Sequence, residues 1–159
     1  MDDSGFTGRH RARELAMHGL YERQLSRRPD RDIAASLLTD PGDGGDDTAD
    51  PAPVPEVDAA YFTELWRGVT GEYDALLAAI APHASRGIET LAPIERGVLA
   101  IGAWELTHRL DIPYRVVINE AVELTKRYGG TDGYKFVNGV LDKLAPRLRA
   151  DEIRASGRR

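Results

Sequence analysis

Between residues 58 and 80 the apolar side chains Phe62, Leu65, Trp66, Val69, Tyr73, Leu76, Leu77 and Ile80 recur at steps of three or four, and no segment of the chain alternates apolar with polar residues for any length. A period near 3.6 residues is one face of a helix, whereas a half-buried strand needs a period of two. The helical period returns after Pro93 (Ile94, Val98, Leu99, Ile101, Leu106) and after Asp111-Ile112-Pro113 (Val117, Ile118, Ala121, Val122, Leu124). It returns once more after Gly129-Gly130, as Val137, Val140, Leu141 and Leu144. From Arg9 to about Ser26 a further stripe is made by Ala12, Leu15, Ala16, Gly19 and Leu20, with His10, Glu14, Met17 and Tyr21 on the opposite side. A short helix is expected over residues 32–38. The expected fold class is therefore all-α, a compact helical bundle.

Local signals set the expected boundaries. Asp58 reads as the N-cap of one long helix that runs to Pro82, and Thr131 or Asp132 as the cap of the last helix, which ends at Pro146. Gly129 is suited to the left-handed conformation that closes many helices. A chain of 159 residues is expected to form one domain with a substantial core. That domain spans residues 9–148, preceded by a disordered stretch over 1–8, interrupted by an acidic flexible loop over 39–57 and followed by a basic tail over 149–159.

The formal net charge of −5 hides an asymmetry: residues 39–58 hold seven acidic residues and no basic one, which leaves +2 for the rest. Arginines cluster near both ends, so an anionic partner is compatible with the acidic pI. The chain has no Cys, which excludes disulfides, thiolate metal sites and cysteine nucleophiles. No stretch has the apolar length of a secretory signal or a membrane span, so no membrane partner and a cytoplasmic location are expected.

Catalytic patterns are missing. The glycines at 129, 130 and 133 are followed by Tyr134-Lys135-Phe136, not by the Gly-Lys-Ser/Thr ending of a phosphate loop. His10, His18, His83 and His108 lack the two-histidine spacing of a metallohydrolase, so no metal site is expected. Glu120 and Glu123 share a helix face with Lys126 and Arg127 and read as solvated ion pairs. No catalytic residue and no cofactor are expected. The stretch from Arg9 to Tyr21 is more informative, because Arg9, Arg11 and Arg13 alternate at the head of an amphipathic helix that carries an aromatic on its outer side. Guanidinium forks engage phosphates and an exposed ring stacks on an unpaired base. A charged helix start with a packed tyrosine accounts for the same spacing equally well.

Three segments together resemble the transcription antitermination factor NusB family: RHRARELAMHGLYERQLS, then YFTELWRGV, then IERGVLAIGAWELTHRLDIPYRVVINEAVELTKRYGGTDGYKFVNGVLDKLAP. The resemblance implies about seven helices in two small helical subdomains and no enzymatic activity. It implies binding to single-stranded boxA RNA of nascent rRNA-operon transcripts, jointly with the ribosomal protein NusE, within the antitermination complex of RNA polymerase and other Nus factors. By position, Arg9, His10, Arg11, Arg13, Tyr21, Lys135 and Phe136 match the family's RNA side, with His10 where relatives often have another arginine. Glu95 and Asp132 match the side that faces NusE. The same helical unit is similar to the N-terminal module of certain rRNA cytosine methyltransferases, a reading that expects an α/β cofactor region after it. A protein-only scaffold is the third alternative.

Overall fold

The computed structural model describes residues 3–39, 57–85 and 87–156. The segment expected as an acidic loop lies outside the described residues except at its two ends. Eight α-helices are present among the described residues: α1 (Asp3–Leu25), α2 (Asp30–Thr39), α3 (Ala59–Gly71), α4 (Tyr73–Ile80), α5 (Pro93–His108), α6 (Tyr114–Tyr128), α7 (Gly133–Leu148) and α8 (Ala150–Ser156). No strand occurs among them, as the unbroken helical period requires. The chain divides into two compact units, Met1–Thr70 and Gly71–Arg159.

In the first unit, α1 and α2 form a hairpin against α3. Ala12, Leu15, Ala16 and Leu20 of the α1 stripe are buried, as are Phe62, Leu65, Trp66 and Val69 of α3. Met17 and Glu14, which periodicity placed on the opposite side of α1, are buried too. The helix therefore buries more than one face, and a one-sided stripe underestimates its coverage. It starts at Asp3 rather than Arg9, so residues 3–8, expected to precede the folded region, continue the first helix. Gly19 is the point of closest approach: a Cβ there would lie 2.6 Å from Cζ3 of Trp66 and 2.8 Å from Cδ1 of Leu37. Trp66 is fixed in turn by its Nε1–H, which donates to the Asp30 carbonyl at 3.0 Å. Asp58 caps α3 as expected, its Oδ1 accepting from the Tyr61 N–H at 2.9 Å.

The long helix expected from Asp58 to Pro82 is two helices. It breaks at Glu72, with φ −115° and ψ 17°, directly after Gly71. Gly71 has no side chain to pack, and a glycine inside a helix costs roughly 1 kcal/mol relative to Ala, so the period of the flanking apolar residues outlasts the helix itself.

In the second unit α5 is the central element. Every residue from Gly97 to Leu106 is buried, as expected for a helix enclosed on all sides. Helices α4, α6 and α7 pack around it. At Gly102 a Cβ would meet both Leu141 methyls at 3.2 Å, so α7 lies close against α5. Helix α7 runs through Pro146 to Leu148, beyond the expected stop. In a last turn proline removes one ladder bond without breaking the helix, and the Arg149 N–H closes the turn on the Ala145 carbonyl at 2.7 Å.

Arg149, assigned by composition to a basic tail, is 3% exposed. Its guanidinium donates to the carbonyls of Leu106 at 2.7 Å, Arg109 at 2.8 Å, Ile112 at 2.9 Å and Glu105 at 3.1 Å. Of these, the Leu106 carbonyl lies in the last turn of α5 and receives no backbone donor, whereas the Glu105 and Arg109 carbonyls also accept from the N–H groups of Arg109 and Ile112. Glu152 of α8 completes the network, accepting from Arg149 Nη1 at 2.5 Å and, through its other oxygen, from the Tyr114 N–H at 2.9 Å. Within the segment expected as a tail, Ala150–Ser156 is thus a helix tied into the second unit through Arg149.

Candidate functional site

The sequence-expected residues fall into two groups, one in each unit. In the first, Arg9 and Arg13 direct their guanidinium carbons onto the Tyr61 ring, at 5.1 and 5.5 Å from its centroid. Such contacts orient a cation without neutralising it. Arg13 is 2% exposed, so this member of the alternating arginines at the head of the helix is packed inside the protein. Arg11 pairs with Glu14 one turn on. Arg9, His10 and Arg11 are half-buried, leaving part of each side chain at the surface. Tyr21 is 42% exposed on the same helix, the outward aromatic that the helical wheel placed there.

The second group surrounds the joint between α6 and α7. The expected left-handed glycine is elsewhere: Gly129 has φ −85° and ψ 175°, whereas Asp132 has φ 65° and ψ 2°. Gly129 is required for a different reason, since a Cβ would lie 2.7 Å from the Thr125 carbonyl oxygen. Asp132 occupies the N-cap position of α7 but makes no side-chain cap hydrogen bond. Its carboxylate instead pairs with Lys135 Nζ at 3.3 Å, both side chains being exposed. Glu95, half-buried in the first turn of α5, presses its carboxylate onto the Gly133 backbone, where any Cβ would collide with it. Glu95 and Asp132 are thus brought to one place, the start of α7.

An expected outcome follows for Asp132. A non-glycine residue in the left-handed region is strained, and an exposed ion pair contributes only about 0–1 kcal/mol. Asp132→Gly is expected to raise the unfolding free energy by about 0.5–1 kcal/mol, read as a higher urea midpoint. A loss of comparable size would show that the carboxylate holds the joint.

Spacing missed a neighbouring cluster. Lys126 Nζ lies 5.1 Å and Lys135 Nζ 6.0 Å from the centroid of the Tyr134 ring, and the Arg127 guanidinium lies 5.2 Å from that of Tyr128. With half-buried Phe136, the joint offers three cations and three aromatic rings on consecutive elements. Lys126 and Tyr134 stand on different helices across the glycine joint, so no periodicity within either helix links them. Cations interleaved with aromatics suit a nucleic-acid strand, the cations meeting phosphates and the rings meeting bases. No cluster of metal-ligating side chains occurs among the described residues.

The NusB family model matches residues 10–146. The chain is 52% identical over 153 residues to the transcription antitermination protein NusB of Paraburkholderia xenovorans, covering 96% of this chain and 99% of that protein. It is 44% identical to the protein of that name from Marinobacter nauticus, over 92% of this chain and 85% of the relative. Among solved structures it is similar to T. maritima NusB, with a TM-score of 0.72 at 26% identity, covering 92% of this chain and 96% of that one. A chain in the crystal structure of the antitermination factors NusB and NusE in complex with dsRNA shares the fold, with a TM-score of 0.71 at 24% identity, over 87% of this chain and 96% of that one.

Proposed function

The chain belongs to the NusB family of transcription antitermination proteins, and from that premise we infer that it binds boxA-type RNA of nascent rRNA-operon transcripts together with NusE, in the cytoplasm, to keep RNA polymerase processive. Family membership makes it an RNA-binding transcription factor and not an enzyme. The methyltransferase-module alternative is disfavoured, because the match to antitermination relatives extends over nearly the whole length of both proteins. A protein of the same fold has been crystallised with NusE and double-stranded RNA.

The observation that carries the RNA reading is the set of cations and rings left at the surface in each unit: half-buried Arg9 with exposed Tyr21 on α1, and exposed Lys126 and Lys135 on Tyr134 beside Phe136. Arg9, His10, Arg11, Lys126 and Lys135 take phosphates. Tyr21 and Phe136 take bases, and buried Arg13 positions Tyr61 and the head of α1. Glu95 and Asp132 offer carboxylates at the start of α7, where a basic ribosomal protein donates charge-assisted hydrogen bonds.

Fluorescence anisotropy with labelled boxA RNA tests this assignment. Lys126→Ala and Lys135→Ala are each expected to lower the slope of log affinity against log salt by roughly 0.7, the value for one single-strand phosphate contact. Tyr21→Ala is expected to weaken binding by about 1–3 kcal/mol, the cost of one lost base stack, with the salt slope unchanged. Unaltered affinity and slope in all three variants would remove these residues from the RNA surface.

A further inference from the structure

In the first unit, away from the residues assigned above, α2 and α3 enclose a groove of about 400 Å³. Arg31 and Ala34 line it from α2; Trp66 and Arg67 line it from α3. Its wall is rigid, because the Trp66 ring is 3% exposed and its N–H is bonded to the Asp30 carbonyl. The one acid in the lining, Asp30, has its carboxylate engaged by Arg23 Nε at 2.8 Å. The two lining arginines are differently placed. Arg31 has a side chain 90% exposed and only a 4.0 Å contact with Asp32, and Arg67 is exposed with no ion pair among the described residues. A solvated pair of guanidiniums on opposite walls of a cleft, with the cleft's own acid already offset, is a charge arrangement that the fold itself does not use.

We propose that this groove is a second phosphate-binding site, holding the backbone of RNA that flanks the segment bound by the arginine-rich end of α1. The proposal rests on the RNA-binding reading above. Two planar forks match the oxygens of a phosphodiester two at a time, while Ala34 and the edge of Trp66 offer apolar contact to a ribose or base. The α3 residues that line the groove, Thr63, Trp66, Arg67 and Thr70, form one helix stripe. Tyr61, under Arg9 and Arg13, points to the other side of that helix, so the groove is a separate contact and not an extension of the first. An acidic protein is the competing occupant. It is less favoured because a run of carboxylates meets only two cations, one of them on the same helix as Asp30 and Asp32.

The test titrates the full chain, its Arg31→Gln/Arg67→Gln variant and a Tyr21→Ala control with two labelled RNAs: a short boxA oligonucleotide and the same oligonucleotide extended by an unstructured flank. Both arginines are exposed, so an unchanged thermal melt is expected for the variant. The expected result is that the parent binds the extended RNA several-fold more tightly than the short one. The double variant is expected to lose that gain, about three- to tenfold, together with roughly 0.7 of salt slope per arginine, with short-RNA affinity intact. If the short RNA binds and the gain on extension is the same in parent and variant, or absent in both, the groove is not an RNA contact while the boxA reading stands. If the parent binds neither RNA, both fall. Binding of polyglutamate that the variant alone loses, without any effect on RNA, would reassign the groove to an acidic protein and overturn the proposal.

Discussion

Arg149→Ala is expected to lower the unfolding free energy of the protein by about 3–5 kcal/mol, the range for breaking a buried charged network. Four main-chain carbonyls, those of Glu105, Leu106, Arg109 and Ile112, lose a charged donor at once, and Glu152 loses its partner. The Glu105 and Arg109 carbonyls keep the backbone N–H groups of Arg109 and Ile112, whereas those of Leu106 and Ile112 are left without donors, at roughly 1–3 kcal/mol each where water cannot reach them. Arg149→Lys is expected to recover only part of the loss, since an ammonium has three donors on a point where the guanidinium spreads five over a plane. Urea titrations should show a reduced midpoint at constant m-value for both variants. A loss under about 1 kcal/mol for the Ala variant would mean that the network is easily replaced by water and that α8 is not anchored through it.

Gly19→Val is the second large expected effect, and its sign opposes helix propensity. At an open helix position, replacing glycine with alanine gains up to about 1 kcal/mol. At Gly19 even the first added carbon meets the six-membered ring of Trp66 and a Leu37 methyl at distances that real side chains do not tolerate. Overpacking of this kind typically costs about 1–3 kcal/mol, and here it also strains the bond from Trp66 Nε1 to Asp30. Gly19→Ala is therefore expected to destabilise, and Gly19→Val to destabilise more, with a change in tryptophan emission as Trp66 is pushed from its site. A Gly19→Ala variant more stable than the parent would show that α1, α2 and α3 are not packed as described.

Legibility in the sequence followed the range of the interaction concerned. The helices of α3, α5, α6 and α7 were visible because their apolar residues repeat locally, and the cap at Asp58 because its bond to the Tyr61 N–H spans three residues. Tyr21 was placed outward by the same wheel that wrongly exposed Met17: a wheel finds the most apolar face, and α1 is covered on more than one. The break at Glu72 was hidden because side chains on both sides of it keep one period. Arg149 could not be separated from Arg154 in a basic tail, because its acceptors lie some forty residues back in the chain. The candidate site divides in the same way. Asp132 and Lys135 are neighbours in sequence and in space, but Glu95 against Gly133 and Lys126 beside Tyr134 are tertiary juxtapositions.

The central claim, joint binding of boxA RNA and NusE, is tested most directly by measuring the affinity of labelled boxA RNA and of a shuffled RNA of equal composition, each with and without saturating NusE. Coupled binding on one protein is reciprocal, so the factor by which NusE tightens boxA must equal the factor by which boxA tightens NusE. The account predicts a preference for boxA, an increase in that affinity with NusE, and an equal increase measured from the NusE side that shrinks when Asp132 is replaced by Asn. Equal affinity for boxA and shuffled RNA, with no effect of NusE on either, would contradict it.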